Sequence, residues 1–254
     1  MSRNFELFRQ LGRVQEILEE PEKASAVFPE EPVVQSLVPT TTFAGQGDAR
    51  EEVIKLVRNL FFASETEAPR RVVFAGTESG TGCSWICSHA AELLALQVRG
   101  SVCLVDCNLR DPSLHERFNT TDHQGLTDAL VGSGPIRQYV HRLSPSNLHL
   151  LSSGSIREGQ HALLASEAMR SRVTELYSHF DYVLFDVGSL NTCNDGFVLG
   201  RLADGIVLVL RANSSRRETA LKALQELEVT KVAVLGAVLN QRTFPIPEAI
   251  YKYL

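Results

Sequence analysis

No run of about 18 apolar residues occurs anywhere in the chain, so no segment reads as a membrane-spanning helix. The opening MSRNFELFRQ is charged and polar where a secretory leader would be basic and then apolar, and it predicts no signal peptide. Basic residues are not in excess either. With 25 Lys and Arg against 30 Asp and Glu, the formal charge is -5 and the pI about 5.8. That balance supplies no global electrostatic footprint for nucleic acid or an anionic membrane. A disulfide framework is absent: five cysteines is an odd count, and several stand in apolar, strand-like runs that suit reduced thiols. The seven histidines show no metal-ligand spacing, and no internal repeat stands out. These absences predict a cytoplasmic protein with no nucleic-acid partner.

What is present is enough apolar material, 44% of 254 residues, to fill the core of one large α/β domain. Leu7, Leu11, Val14 and Leu18 recur at helical spacing and predict an N-terminal amphipathic helix. Prolines 21, 29, 32 and 39, with Gly45 and Gly47, then deny any regular element. We expect 1–48 to be a helix and linker and 49–254 to be the domain.

From Glu51 onward the pattern alternates. A helix over 51–62 precedes the apolar run RVVFAG (71–76), and a helix over 84–96 precedes SVCLVD (101–106). A helical stretch near 125–131 precedes NLHLLSSG (147–154). The face formed by Met169, Val173, Leu176 and Phe180 precedes DYVLFD (181–186), GIVLVL (205–210) and KVAVLGAVLN (231–240). Short apolar runs separated by amphipathic helices are the signature of strands buried on both faces. The expected fold is α/β: a doubly wound, mostly parallel sheet between helical layers, of the P-loop NTPase type. Ligands in such sheets sit beyond the carboxyl ends of the strands, so the residues closing each run carry the chemistry.

The first run passes directly into Thr77, Glu78, Ser79, Gly80, Thr81, Gly82, Cys83 and Ser84 and then a helix. That is the context in which a glycine-rich loop wraps phosphate with backbone N–H groups. The alternative is a tight turn. Cys83 stands where a phosphate loop carries lysine, while Ser84 keeps the hydroxyl that would ligate magnesium. Asp106 and Asp186 each close a later run, where a carboxylate beside a phosphate loop holds magnesium and its waters. Either could instead cap a turn. The candidate site is therefore Gly80, Thr81, Gly82, Cys83, Ser84 and Trp85 for nucleotide, Ser84 and Asp106 for magnesium, and Asp106 and Asp186 for chemistry.

These residues carry a family resemblance over about four-fifths of the chain. From Glu51 onward it resembles the ATPase and tyrosine-kinase domain of the bacterial tyrosine kinases of capsule and exopolysaccharide export. Those kinases are relatives of the septum-site and plasmid-partition ATPases. The family loop, Ser-x-x-Pro-Gly-x-Gly-Lys-Ser, is matched up to Ser84 with Ser79 for proline and Cys83 for lysine. A second motif, Asp-x-Asp-x-Arg-x-Pro-Ser-Leu, is matched from Asp106 to Leu114 with Asn108 for the second aspartate. A third, Asp-x-Pro-Pro, keeps Asp186. Gly125-Leu126-Thr127-Asp128, Ala203-Asp204-Gly205 and Leu239-Asn240-Gln241-Arg242 match further, and the resemblance implies that Asn240 and Arg242 lie near an adenine.

The resemblance also implies ATP with magnesium, a membrane polysaccharide co-polymerase or export protein as partner, and autophosphorylation of terminal tyrosines, here Tyr251 and Tyr253. It implies a homo-oligomer through a Glu-x-x-Arg-x-x-Arg helix, matched by Glu52, Lys55 and Arg58 on one helix face; a solvated charged face is the alternative. The departures fall on groups that meet phosphate or metal. Glu78 stands where partition-type ATPases carry a second lysine, so two cations have become a thiol and an anion. An uncompensated anion there opposes triphosphate binding. The expectation is weak or absent ATP binding and a regulatory or scaffolding role; the alternative is an active ATPase or autokinase in which another cation, such as Arg110, replaces the lysine. Cys83, Cys87, Cys103 and Cys107 form two Cys-x-x-x-Cys pairs that a metal could bridge or a buried sheet could absorb. Cys83 at a helix start could also be a redox thiol.

Overall fold

Apolar side chains leave the central strands in both directions, and that dictates the layering. In the computed structural model, which describes residues 47–63, 68–120, 124–143, 147–155 and 159–241, strand β1 (Arg71–Gly76) sends Val73 and Ala75 to one core and Val72 and Phe74 to the other. The predicted helix over 7–18, Arg242, Tyr251 and Tyr253 lie outside the described residues.

Helices α1 (Gly47–Phe61) and α2 (Cys83–Gln97) cover one face through Val53, Val57, Ile86, Ala90 and Leu94. The other face is covered by α4 (Leu126–Val131), α5 (Glu167–His179), α6 (Asp195–Gly200) and α7 (Arg217–Val229), which contribute Leu126, Met169, Leu176, Phe197 and Leu227. A one-turn helix α3 (Leu114–Arg117) follows β2 (Val102–Asp106). Side chains such as Leu94, Leu104, Leu176 and Phe185 are fully buried, each stabilising the fold by about 1.5–3 kcal/mol relative to exposure.

The seven strands run in the order β3-β4-β2-β5-β1-β6-β7, with β3 (His141–Leu143), β4 (Leu148–Leu151), β5 (Tyr182–Val187), β6 (Gly205–Arg211) and β7 (Val234–Asn240) completing the sheet. All pairs are parallel except β3 with β4. The expected doubly wound, mostly parallel sheet is therefore present. The three-residue antiparallel edge strand β3 was too short to show an apolar period. Because it precedes β4, the strand closed by Asp186 is the fifth rather than the fourth.

The chain leaves β1, builds outward through β2 and β4, and returns to insert β5 between β2 and β1 before adding β6 and β7 on the far side. The carboxyl ends of β1, β2, β5 and β6 converge at this reversal, the crevice in which open α/β sheets bind ligands.

Candidate phosphate-loop site

Between β1 and α2 the chain makes a loop that only glycine permits at three points. Gly76 has no room for a side chain, since a Cβ there would sit 2.5 Å from Thr81 Oγ1 and 2.9 Å from the Glu78 carbonyl. Gly80 and Gly82 take φ of 79° and 77°, the left-handed region that L side chains rarely adopt. Gly82 then caps α2, its carbonyl accepting from Ile86 N at 3.1 Å. The helix thus points its first N–H groups and the positive end of its dipole into the loop.

The loop is anchored from both neighbours: Thr77 N donates to Val209 O at 3.1 Å and Leu190 N donates to Gly76 O at 2.9 Å. From β7, Asn240 Nδ2 donates to Thr81 O at 2.8 Å, and its Oδ1 accepts from Gln241 N at 2.8 Å. A side chain at position 82 would collide with that amide. Asn240 therefore lies against the loop, where it fastens Thr81.

Asp106 and Asp186 are brought together. They are register partners on adjacent strands, and both are fully buried. Asp106 Oδ1 accepts from Asn108 N at 3.1 Å and Oδ2 from Leu114 N at 3.2 Å. Burial still pushes its carboxyl up to about 7, the backbone N–H groups offsetting only part of the desolvation. Asp186 has no hydrogen bond of ordinary geometry to either oxygen, although the side chains of Ser84 and Cys83 lie against it. Desolvation first, and the Asp106 charge second, push it up to about 8. Thr77 Oγ1 and Glu78 Oε1, both sealed from solvent, also lack a partner.

Buried polar groups are otherwise paired in folded proteins, so these atoms are ones that a ligand with its own polar groups could satisfy. Ser84, Asp106 and Asp186 are the residues that could hold magnesium, which would supply positive charge against the negative charge of a phosphate group. The donor set fits the metal better than it fits the triphosphate: Cys83 is 9% exposed and contributes no charge.

The remaining candidates are distributed differently. Trp85 packs its ring on His89, centroids 3.9 Å apart, and His89 in turn meets Arg117, which pairs with Glu92 at 3.2 Å. Asn108 turns back on its own loop, donating to Asp111 O at 2.8 Å. Arg110 lines a cleft of about 410 Å³ with Thr77, Asn191, Asp195, Lys222 and Glu226. Glu52 and Lys55 pair with each other at 2.8 Å on α1, and Arg58 lies exposed in its last turn.

Among the described residues no group of three His, Cys, Asp or Glu can hold a metal ion. Burial raises the thiols of Cys83, Cys87, Cys103 and Cys107, which gives Cys83 the opposite of the lowered value a redox thiol needs. No described helix is long and apolar enough to cross a membrane.

Sequence reasoning missed Arg211. It closes β6 immediately after the apolar run GIVLVL and lies against Gly80. The strand-end rule that found Asp106 and Asp186 applies to it equally. The latches Asp204 and Asp128 also came without their role. Asp204 Oδ2 accepts from Arg70 N and Arg71 N at 2.8 and 3.0 Å, and Asp128 Oδ2 accepts from Gly125 N and Ser155 N at 3.1 and 2.9 Å.

Comparison with known proteins agrees with this geometry, although no protein-family model matches the chain. The kinase domain of the Escherichia coli tyrosine kinase ETK superposes with a TM-score of 0.69 at 23% identity, covering 78% of this chain and 79% of that one. The septum site-determining protein MinD of Pyrococcus horikoshii, solved with Mg-ADP, gives 0.56 at 20%, covering 72% and 77%. Both show the fold. Tyrosine-protein kinase YwqD of Bacillus subtilis is 32% identical over 182 residues, 72% of this chain and 76% of that protein. With that identity over that coverage, the chain belongs to the bacterial tyrosine-protein kinase family.

Proposed function

We propose that this chain is a degenerate member of its family, acting as a regulatory or scaffolding component of polysaccharide export rather than as an efficient kinase. The observation that carries this is local: at the position of the family's lysine stands a buried, uncharged Cys83, packed against the buried carboxyl of Asp186. Phosphoryl transfer depends on positioning and charge neutralisation, and the loop retains the first while having lost much of the second. Glu78, half-buried with one carboxylate oxygen sealed and unpartnered, adds negative charge beside the cradle.

Backbone N–H groups and the helix dipole remain available, so ATP with magnesium should bind with a dissociation constant on the order of a millimolar or weaker. Calorimetric titration of the purified protein tests this. Cys83→Lys should tighten binding at least about tenfold, and adding Glu78→Lys should tighten it further, because each change adds attraction at one site. Micromolar binding by the unmodified protein would overturn the degenerate reading. An unimproved, folded double variant would show the loop to be only a turn.

A second reading, an active autokinase, has Arg211 in its favour, since that guanidinium lies beside the loop; radiolabel transfer from ATP to the chain's own tyrosines would establish it. In either case the partner we propose is a membrane polysaccharide co-polymerase, which would bring the protein to the inner membrane face. The domain we propose is 49–254, so removal of 1–45 should leave cooperative unfolding intact. For assembly we propose the α1 face of Glu52, Lys55 and Arg58, with charge reversal at Arg58 abolishing self-association. A strictly monomeric protein by light scattering at high micromolar concentration would refute that assembly.

A further inference from the structure

Two strand ends overhang the phosphate loop side by side. Arg211 at the end of β6 and Asn240 at the end of β7 are register partners in a parallel pair, so their side chains leave the same face of the sheet. Each meets one of the loop's left-handed glycines. Asn240 lies against Gly82 and fastens the Thr81 carbonyl, whereas Arg211 lies over Gly80, with Nη1 4.0 Å from where a Cβ would project.

The backbone beneath Arg211 is held firmly: Arg211 N donates to Ser215 Oγ at 2.9 Å, Ser215 N donates back to Arg211 O at 2.9 Å, and Ala212 N donates to Asn240 O at 2.8 Å. The side chain is exposed, and among the described residues its guanidinium has no hydrogen-bond or ion-pair partner. An anchored strand end thus presents an unspent cation to a loop whose own cation is missing. Around the same loop the Thr77 hydroxyl and both Asp186 oxygens are buried and unpartnered.

We propose that Arg211 is the residue that supplies positive charge to an anion held in this loop, taking over from the β6 side part of the role that lysine would play from the helix side. A guanidinium suits the position because it is always charged and its planar fork reaches two phosphate oxygens at once. Gly80 suits it too, since any side chain there would be strained and its Cβ would already be at contact distance from the guanidinium. Asn240 fixes the loop and Arg211 meets the ligand, a division of labour between two neighbouring strand ends. The recognised chemistry is a polyphosphate, with or without a nucleoside.

This inference rests on the reading of the loop as a phosphate cradle, and the experiment separates the two. The full chain and its Arg211→Ala and Arg211→Lys variants are titrated with magnesium ATP and with inorganic tripolyphosphate, and thermal unfolding confirms the fold of each. Arg211→Ala should weaken both ligands at least fivefold and flatten the dependence of affinity on salt, while Arg211→Lys keeps most of the affinity. Where the parent binds too weakly to resolve the loss, the same variants are compared in the Cys83→Lys background, and a loss of at least threefold is expected there. If Cys83→Lys tightens binding and Arg211→Ala costs nothing in either background, the cradle stands and the role of Arg211 is refuted. If no background binds either ligand, the cradle reading falls, and this inference with it.

Discussion

The two ends of the sheet treat their carboxylates in opposite ways. At the amino end, Asp181 and Asp204 each precede a strand and clamp the start of its neighbour. Asp181 Oδ2 accepts from Ser101 N and Ser101 Oγ at 2.9 and 3.0 Å, tying β5 to β2. Asp204 ties β6 to β1 through Arg70 N and Arg71 N. Both keep contact with solvent. At the carboxyl end, Asp186 is fully buried with no backbone N–H bonded to it and only the side chains of Ser84 and Cys83 against it, and Asp106 stands between these extremes with long backbone bonds from Asn108 and Leu114. An acid that stabilises a fold is placed where donors already exist. An acid buried without donors costs stability and persists where something outside the chain can complete it.

The comparison breaks most visibly if its two extremes are altered in parallel. Asp181→Ala leaves the Ser101 N–H and hydroxyl without their acceptor and should destabilise the protein by about 2–3 kcal/mol, the scale of hydrogen bonds to a charged group. For a domain of this size that lowers Tm by roughly 4–12 °C. Asp186→Asn replaces a carboxyl whose ionised form is disfavoured by burial and by the Asp106 charge, while preserving shape. It should raise stability at pH 8 by several kcal/mol, since each pH unit between the unfolded and folded values corresponds to about 1.4 kcal/mol. Scanning calorimetry of both variants decides the matter: a loss in Asp186→Asn comparable to that in Asp181→Ala would mean that Asp186 is a structural acid like the others.

The same asymmetry should be visible in pH. In the folded protein the Asp186 carboxyl is raised from 3.8 to about 8, so the folded state keeps a proton that the unfolded chain gives up across this window. The stability contributed by the neutral acid is fully present below the unfolded value and is lost as pH rises through the folded one. The stability difference between Asp186→Asn and the parent should therefore be smallest around pH 4 and grow toward pH 8, by several kcal/mol at about 1.4 kcal/mol per pH unit. A pH-independent difference in chemical denaturation would exclude a buried acid that titrates in this range.

Much of this was legible in the sequence, and the reason is the period of the elements. RVVFAG is β1 residue for residue, and DYVLFD and GIVLVL are each within one residue of their strands, because a strand buried on both faces reads as a bounded apolar run. The edges were harder. KVAVLGAVLN overshoots β7 by three residues at its start, since an edge strand that is half exposed carries less pattern, and β3 carries almost none. Within the site, the positions of Gly80, Gly82, Asp106 and Asp186 followed from strand ends alone. What could not be read was pairing across space. That Asn240 fastens Thr81, that Arg211 reaches Gly80 and that Trp85 lies on His89 depend on side-chain directions from elements distant in sequence.

Asp106 supplies the smallest and most discriminating effect. Its oxygens accept backbone N–H groups, those of Asn108 and Leu114 among them, so it resembles the clamping acids, yet its burial resembles that of Asp186. Asp106→Asn should remove the cost of a buried charge and relieve its repulsion of Asp186. It should also leave one of the two N–H groups facing an amide nitrogen instead of an oxygen, a loss of about 1–3 kcal/mol if that donor stays unsatisfied. The two effects oppose each other and are similar in size, so stability at pH 7 should change by less than about 1 kcal/mol. The coupling, however, should be visible. With Asp106 neutralised, the Asp186 carboxyl loses its second-largest upward influence, and the additional gain from Asp186→Asn should shrink in the double variant. Strict additivity in a double-mutant cycle would show that the two carboxylates, adjacent in register, do not share a site.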